Sequence, residues 1–98
     1  MYYEQQEIKL FVYRDLAGTT YNVRVHTRSE KLNANGEICE SDAAEIIKNE
    51  LEGACIEIKL ADTPTLCNIA RYICERVPYA YKVSVQDEKG KTGVFVKD

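Results

Sequence analysis

The sequence predicts an α+β fold, an antiparallel four-stranded sheet with two helices on one face, in the chain order ββααββ. Three features point there: alternating, β-branched-rich stretches open and close the chain, two segments between them repeat apolar residues at helical spacing, and turn residues punctuate the junctions.

Glu7 to Tyr13 and Thr20 to Arg28 make the first pair of strands. Arg14-Asp15-Leu16-Ala17-Gly18-Thr19 between them, with turn residues Asp15 and Gly18, makes the short loop of a β-hairpin. In the second strand Tyr21, Val23 and Val25 share one face and Asn22, Arg24 and His26 the other, the mark of a sheet covered on one side. Asn33-Ala34-Asn35-Gly36 reverses the chain, because Asn-Gly tolerates positive φ. Ile38-Cys39-Glu40 leads into the first helix, with Ser41 as N-cap and Asp42 as favourable first-turn charge. Ala43, Ile46, Ile47 and Leu51 form its apolar stripe, and Gly53 suits its C-terminal cap.

Ala54 to Leu60 is ambiguous, but Ala54, Ile56, Ile58 and Leu60 alternate with Cys55, Glu57 and Lys59 in the manner of an edge strand. Thr63 then caps a second helix that Pro64 opens. Leu66, Ile69, Ala70, Ile73, Cys74 and Val77 recur at i, i+3, i+4, i+7, i+8 and i+11, and Pro78 ends the run. Tyr81 to Gln86 and Thr92 to Val96 close the sequence as a second hairpin around Asp87-Glu88-Lys89-Gly90-Lys91.

Ninety-eight residues make one domain, residues 1–98. A net charge of -3 gives no electrostatic reason to bind nucleic acid or an anionic membrane. No apolar run approaches the ~20 residues of a membrane span, and the polar start Met1-Tyr2-Tyr3-Glu4-Gln5-Gln6 does not read as a signal peptide. The four cysteines form no CxxC pair, and the seven-residue spacing of Cys67 and Cys74 in a helix sets them roughly 10 Å apart, too far for a disulfide. Buried free thiols in a reducing, cytoplasmic compartment are expected.

The stretch Asp62-Thr63-Pro64-Thr65-Leu66-Cys67-Asn68-Ile69-Ala70-Arg71-Tyr72-Ile73 resembles the Pro-Thr-x-Glu-Asn helix start of the 6-pyruvoyl-tetrahydropterin synthase family, which includes the 6-carboxytetrahydropterin synthases. Tyr21 to Val25 is similar to that family's second strand, Leu32 to Ile38 to the turn before its first helix, and Tyr81 to Asp87 to a later strand. The resemblance covers roughly Thr20 to Val96 and implies the tunnelling fold, in which such sheets assemble side by side into a multisubunit barrel.

The departures from that pattern bear on function. The family holds zinc through three histidines, whereas this chain has only His26. One imidazole cannot replace three ligands that leave a catalytic position open. The family's catalytic cysteine has no counterpart in the short first loop, its Asp-His pair falls near Ile56-Glu57, and the glutamate of its helix motif is replaced by Cys67. No catalytic residue, metal or cofactor is therefore expected. What the resemblance does carry over is a ring-binding pair. Asp87 stands where the family has a carboxylate that accepts hydrogen bonds from a pterin or purine edge, and Thr65 matches a threonine whose backbone contributes. Read from its neighbours alone, Asp87 is a solvated hairpin aspartate.

His26 reads as an ordinary strand histidine, and Tyr72, Tyr79 and Tyr81 around Pro78 as a core edge or subunit contact. The face Glu45, Lys48, Asn49 and Glu52 of the first helix reads as solvated. The expectation is a zinc-free, catalytically inactive relative that forms a homo-oligomer through its sheet edges and acts as a binding or interaction module, with a pterin- or purine-like ligand and neither nucleic acid nor membrane as partner. The alternatives are a synthase-type enzyme with a rebuilt active site, or an accessory protein that docks a different partner on a sheet edge.

Overall fold

A two-residue turn at Asp15 and Leu16 organises the first half of the chain. Both residues hold positive φ, 52° and 66°, a twist that matches the twist of paired strands. Its arms are β1 (Tyr2–Arg14) and β2 (Ala17–Ser29), paired without a break from Tyr2↔Ser29 to Arg14↔Ala17. Both strands outrun the sequence reading, which gave the whole segment 14–19 to the loop. Gly18 is a strand residue: a Cβ there would lie 2.7 Å from Phe11 Cζ, so the Phe11 ring fills the space above it. The computed structural model describes residues 1–38, 42–60 and 62–98.

The remaining strands are β3 (Ala80–Gln86) and β4 (Thr92–Val96), which form the second hairpin at the expected place. The sheet is antiparallel and open, in the order β1-β2-β3-β4. Along its inner face Ile8, Leu10, Val12, Tyr21, Val23, Val25, Val83 and Val85 are all buried. The Tyr21 hydroxyl accepts a 3.3 Å hydrogen bond from Arg14, which satisfies the one polar atom of that ring.

Among the described residues three helices, rather than two, cover this face. In α1 (Ala43–Leu51), Ala43, Ile47 and Leu51 are buried and Ile46 is half-buried against the core. The expected cap at Ser41 lies outside the described residues; Asp42 is the N-cap, its carboxylate accepting the Ala44 N–H at 3.0 Å. Gly53 follows the helix at φ 72°, as its type suggested.

The edge strand expected over Ala54–Leu60 is instead one bridge, Tyr13↔Cys55, followed by a single helical turn, α2 (Ile56–Lys59). A strand would have turned Ile56, Ile58 and Leu60 to the same side. The helical turn buries Ile56 and Leu60 and leaves Ile58 82% exposed. Short apolar alternation does not by itself separate the two. Glu57, on α2, accepts the Asp15 N–H at 2.6 Å, which tethers the hairpin tip. That bond holds the Glu57 carboxyl below its ordinary range, so its contribution to stability is present above the unfolded value and lost as pH falls.

The last helix, α3 (Leu66–Arg76), buries Leu66, Ile69, Ala70, Ile73 and Cys74, the predicted stripe. It starts two residues later than expected. Thr65, not Thr63, is the N-cap, its hydroxyl accepting the Asn68 N–H at 3.2 Å, while the Thr63 carbonyl accepts from Thr65 N–H and from the Asn68 amide. The first turn of α3 lies directly on β4: a Cβ on Gly93 would come within 2.6 Å of Cys67 N and Leu66 Cβ. The cysteines correct the expectation in part. Cys74 is buried and burial raises its thiol pKa, but Cys55 and Cys67 are exposed, and Cys39 lies outside the described residues. Cys67 and Cys74 share a helix face, so position along the axis decides which is covered.

Leu16 is 96% exposed at φ 66°, so its side chain buries nothing while its Cβ strains the backbone. Left-handed geometry costs a non-glycine residue roughly 1–2 kcal/mol. Leu16→Gly should stabilise the fold by about 1 kcal/mol, a rise in Tm of roughly 4–8 °C for a domain of this size. An unchanged or lower Tm on thermal unfolding would show that the turn does not carry this strain.

Candidate functional site

Every second residue of each strand faces away from the helices, onto a sheet surface that no described element covers. On β2 these are Thr20, Asn22, Arg24, His26 and Arg28, and on β1 Tyr3, Gln5, Glu7, Lys9, Phe11 and Tyr13. Strand β3 would have sent Tyr81 into the core had its alternation been regular. Instead the register steps from His26↔Lys82 to Thr27↔Ala80, leaving Tyr81 as the extra residue of a β-bulge. Ala80 and Val83 remain buried, and Tyr81 joins Lys82 on the open face. A bulge re-aims a side chain in this way.

The re-aimed ring builds a cluster. Tyr81 meets Tyr3 edge-to-face with centroids 5.9 Å apart, and His26 at 6.2 Å. The Arg28 guanidinium carbon lies 4.7 Å from the Tyr81 centroid, a contact worth roughly 0.5–1 kcal/mol at an exposed site. Among the described residues no carboxylate pairs with Arg28, Lys9 or Lys82, whereas Arg24 pairs with Glu7 at 3.5 Å. An open cleft of about 450 Å³ borders the cluster, lined in part by Arg28, Pro78, Tyr79, Tyr81 and Lys97. Tyr79 at its rim holds φ 66°, a strained conformation for a bulky residue. At the centre of the open face, Asn22, Arg24, Ser84 and Gln86 line a shallow trough of about 220 Å³.

The residues proposed from sequence lie elsewhere. Asp87 opens the β3–β4 turn, where its Oδ1 accepts the N–H groups of both Lys89 and Lys91 at 2.9 Å. The Thr65 hydroxyl is engaged as the α3 cap. Neither residue borders the cleft beside Tyr81 or the 470 Å³ cleft lined in part by Glu4, Val25, Asp42 and Pro78. The three tyrosines expected around Pro78 serve separate contacts. Tyr72 lies under Arg76 and donates to Glu50 at 3.2 Å, Tyr79 is exposed, and Tyr81 belongs to the open-face cluster. Glu52, read as merely solvated, accepts the Phe11 N–H at 3.1 Å and so covers part of the β1 edge.

The zinc that the resemblance would bring does not fit these residues. His26 faces Lys82 across the ladder and has Arg24 two positions away, a cationic setting that repels a metal ion. Among the described residues, no three His, Cys, Asp or Glu side chains come together as ligands. No helix among the described residues is long and apolar enough to cross a membrane. No family model matches the chain, and no curated protein matches it.

Sequence reasoning identified the polar face of β2 but missed the cluster, because nothing in Pro78-Tyr79-Ala80-Tyr81-Lys82 announces a bulge. Arg28 on the strand-end side of His26 was the readable hint.

Burial lowers the His26 pKa below its ordinary 6.5, and Lys82 and Arg24 push it further in the same direction. The folded chain therefore binds this proton less tightly than the unfolded chain. Stability should rise with pH through the interval just below 6.5 and decline as pH falls there. A ring-proton titration should give a midpoint below 6.5 that moves up in Lys82→Gln. An unshifted midpoint in that variant would exclude Lys82 from the His26 field.

Proposed function

We propose that this chain is a zinc-free, non-catalytic interaction module of pterin-synthase-like ancestry that pairs the free edges of its sheet with further copies of itself. The observation that carries the reading is the state of the β1 edge. At Phe11 and Tyr13 the edge is occupied, with Gly53 N–H donating to the Phe11 carbonyl and Tyr13 N–H to the Ala54 carbonyl, both at 2.8 Å. The same alternation turns the backbone N–H and C=O groups of Tyr3, Gln5, Glu7 and Lys9 away from β2, with no described backbone partner. On the opposite edge, the pairing of Lys97 N–H with the Tyr81 carbonyl leaves Thr92, Val94 and Val96 facing outward in the same way. Rows of unpaired edge groups are templates for another strand, and a side-by-side assembly of tunnelling-fold type would use both.

Light scattering should give a multiple of 11.2 kDa. Gln5→Pro removes an N–H that faces away from β2 and leaves every β1–β2 bond in place, so the variant should shift toward the single-chain mass without losing its fold. A wild-type mass of one chain at micromolar concentration would overturn the proposal.

The ring-binding part of the reading belongs to Asp87 and Thr65. With Oδ1 engaged in its own turn, Asp87 offers Oδ2 to the donors of a pterin or purine edge. Asn keeps an acceptor for the turn but loses the charge, so Asp87→Asn should weaken a bound ring by roughly ten- to a hundredfold. Calorimetry with a pterin or purine that raises the Tm reads this directly; equal affinity in both proteins would remove Asp87 as the anchor.

A further inference from the structure

The helix layer and the open face carry opposite charge. The described residues between 37 and 76, which include α1, α2 and α3, contain eight carboxylates against four cations. On the open face the strands present Lys9, Arg24, Arg28 and Lys82 against Glu7 alone, an excess of three positive charges on a chain whose net charge is -3. Composition averages this segregation away.

The arrangement of the positive face is specific. Arg24, His26 and Arg28 follow one another at every second residue of β2, about 6.7 Å apart along a strand, and Lys82 sits opposite His26. Aromatic rings stand at both ends: Tyr3 and Tyr81 at one, Phe11 and Tyr13 at the other, the latter pair edge-to-face at 5.2 Å. Between them lies the trough lined by the amide and hydroxyl groups of Asn22, Ser84 and Gln86 and by the Glu7–Arg24 pair. Cations grouped on one face (Arg24, Arg28 and Lys82), flat rings that can stack on bases, and polar side chains between them are the elements by which open sheets hold single strands. An acidic peptide would use the cations but has no need of the exposed rings.

We propose that the open sheet face, centred on Tyr81 and Arg28, is a binding surface for single-stranded nucleic acid. The backbone runs along Arg24, Lys82 and Arg28, and bases stack at Tyr81 and Tyr3. Stacking recognises the π-face that every base has, so binding is tolerant of sequence. The surface is the side-chain face of the sheet, not the backbone edges of β1 and β4, although Tyr3 and Lys9 belong to both, and it does not rest on the oligomer reading.

The test is fluorescence anisotropy of a labelled oligo(dT) of about 12 nucleotides, titrated with the full chain at about 50 mM and about 200 mM salt. Neutralising three or four phosphates of a single strand gives a slope of log affinity against log salt of about -2 to -3. Arg28→Ala should flatten this slope by about 0.7. Tyr81→Leu should weaken binding roughly tenfold or more with the slope unchanged. Lys48→Ala, on the exposed side of α1, should bind as wild type. Should Tyr81→Leu fail to fold, ring-proton spectra of the wild-type chain carry the point: His26 and Tyr81 signals should shift on adding oligo(dT). No binding at about 100 μM chain in low salt, shifts confined to other residues, or equal affinity for a poly-glutamate peptide of the same charge would each overturn the proposal, the last in favour of an acidic protein partner.

Discussion

Everything in this molecule depends on the register of the first hairpin. Thirteen residue pairs run from Tyr2↔Ser29 to Arg14↔Ala17, and because side chains alternate with period two, a slip of one residue along either arm would invert its inner and outer sets. Ile8, Leu10 and Val12 would exchange places with charged and aromatic neighbours. Two devices hold the register. The two-residue turn fixes it at one end, and Gly18 admits the Phe11 ring at a position where any Cβ would collide with it. Glu57 and the Glu52–Cys55 connection then clasp the same arm from the helix side, so the hairpin and α2 reinforce each other.

The second hairpin is fixed differently, by close approach rather than by turn geometry. Gly93 lets the first turn of α3 lie on β4, and the α3 stripe covers Val83 and Val85 with residues that are themselves almost wholly buried. With the helices committed to one side, all irregularity is left to the other. The bulge at Tyr81 costs the core nothing, because Ala80 and Val83 on either side keep their inward positions. It transfers a large ring from a place where it would have competed with valines to a place where it can stack with Arg28, His26 and Tyr3.

Most of the fold was legible because its elements announce themselves over many residues. The α3 stripe has six members, the second hairpin turns through five residues that include Asp87 and Gly90, and the inner face of β2 alternates cleanly through Tyr21, Val23 and Val25. Misreadings fell where only two or three residues carried the signal. Gly18 looked like a turn residue because its reason, a ring on the neighbouring strand, is not local. Ala54–Leu60 looked like a strand because four apolar residues alternate, although only Ile56 and Leu60 find the core. The site was less legible than the fold. Asp87 and Thr65 were drawn from a resemblance, and each has a local hydrogen-bonding task. The Tyr81 cluster depends on a register step and on three strands meeting at once, neither of which a linear sequence displays.

The half-sealed edge of β1 has a consequence for how the molecule fares in a crowded solution. Phe11 and Tyr13 are β-forming and exposed, the composition that recruits like segments into fibrils. Their edge is nonetheless closed by Glu52, Gly53 and Ala54, so an incoming strand finds partners only from Tyr3 to Lys9, a stretch of about seven residues and some 23 Å. Within it the side chains of Gln5, Glu7 and Lys9 are polar or charged. Stacking in register would set each Glu7 and each Lys9 against its own kind, which limits templated growth to short, finite contacts.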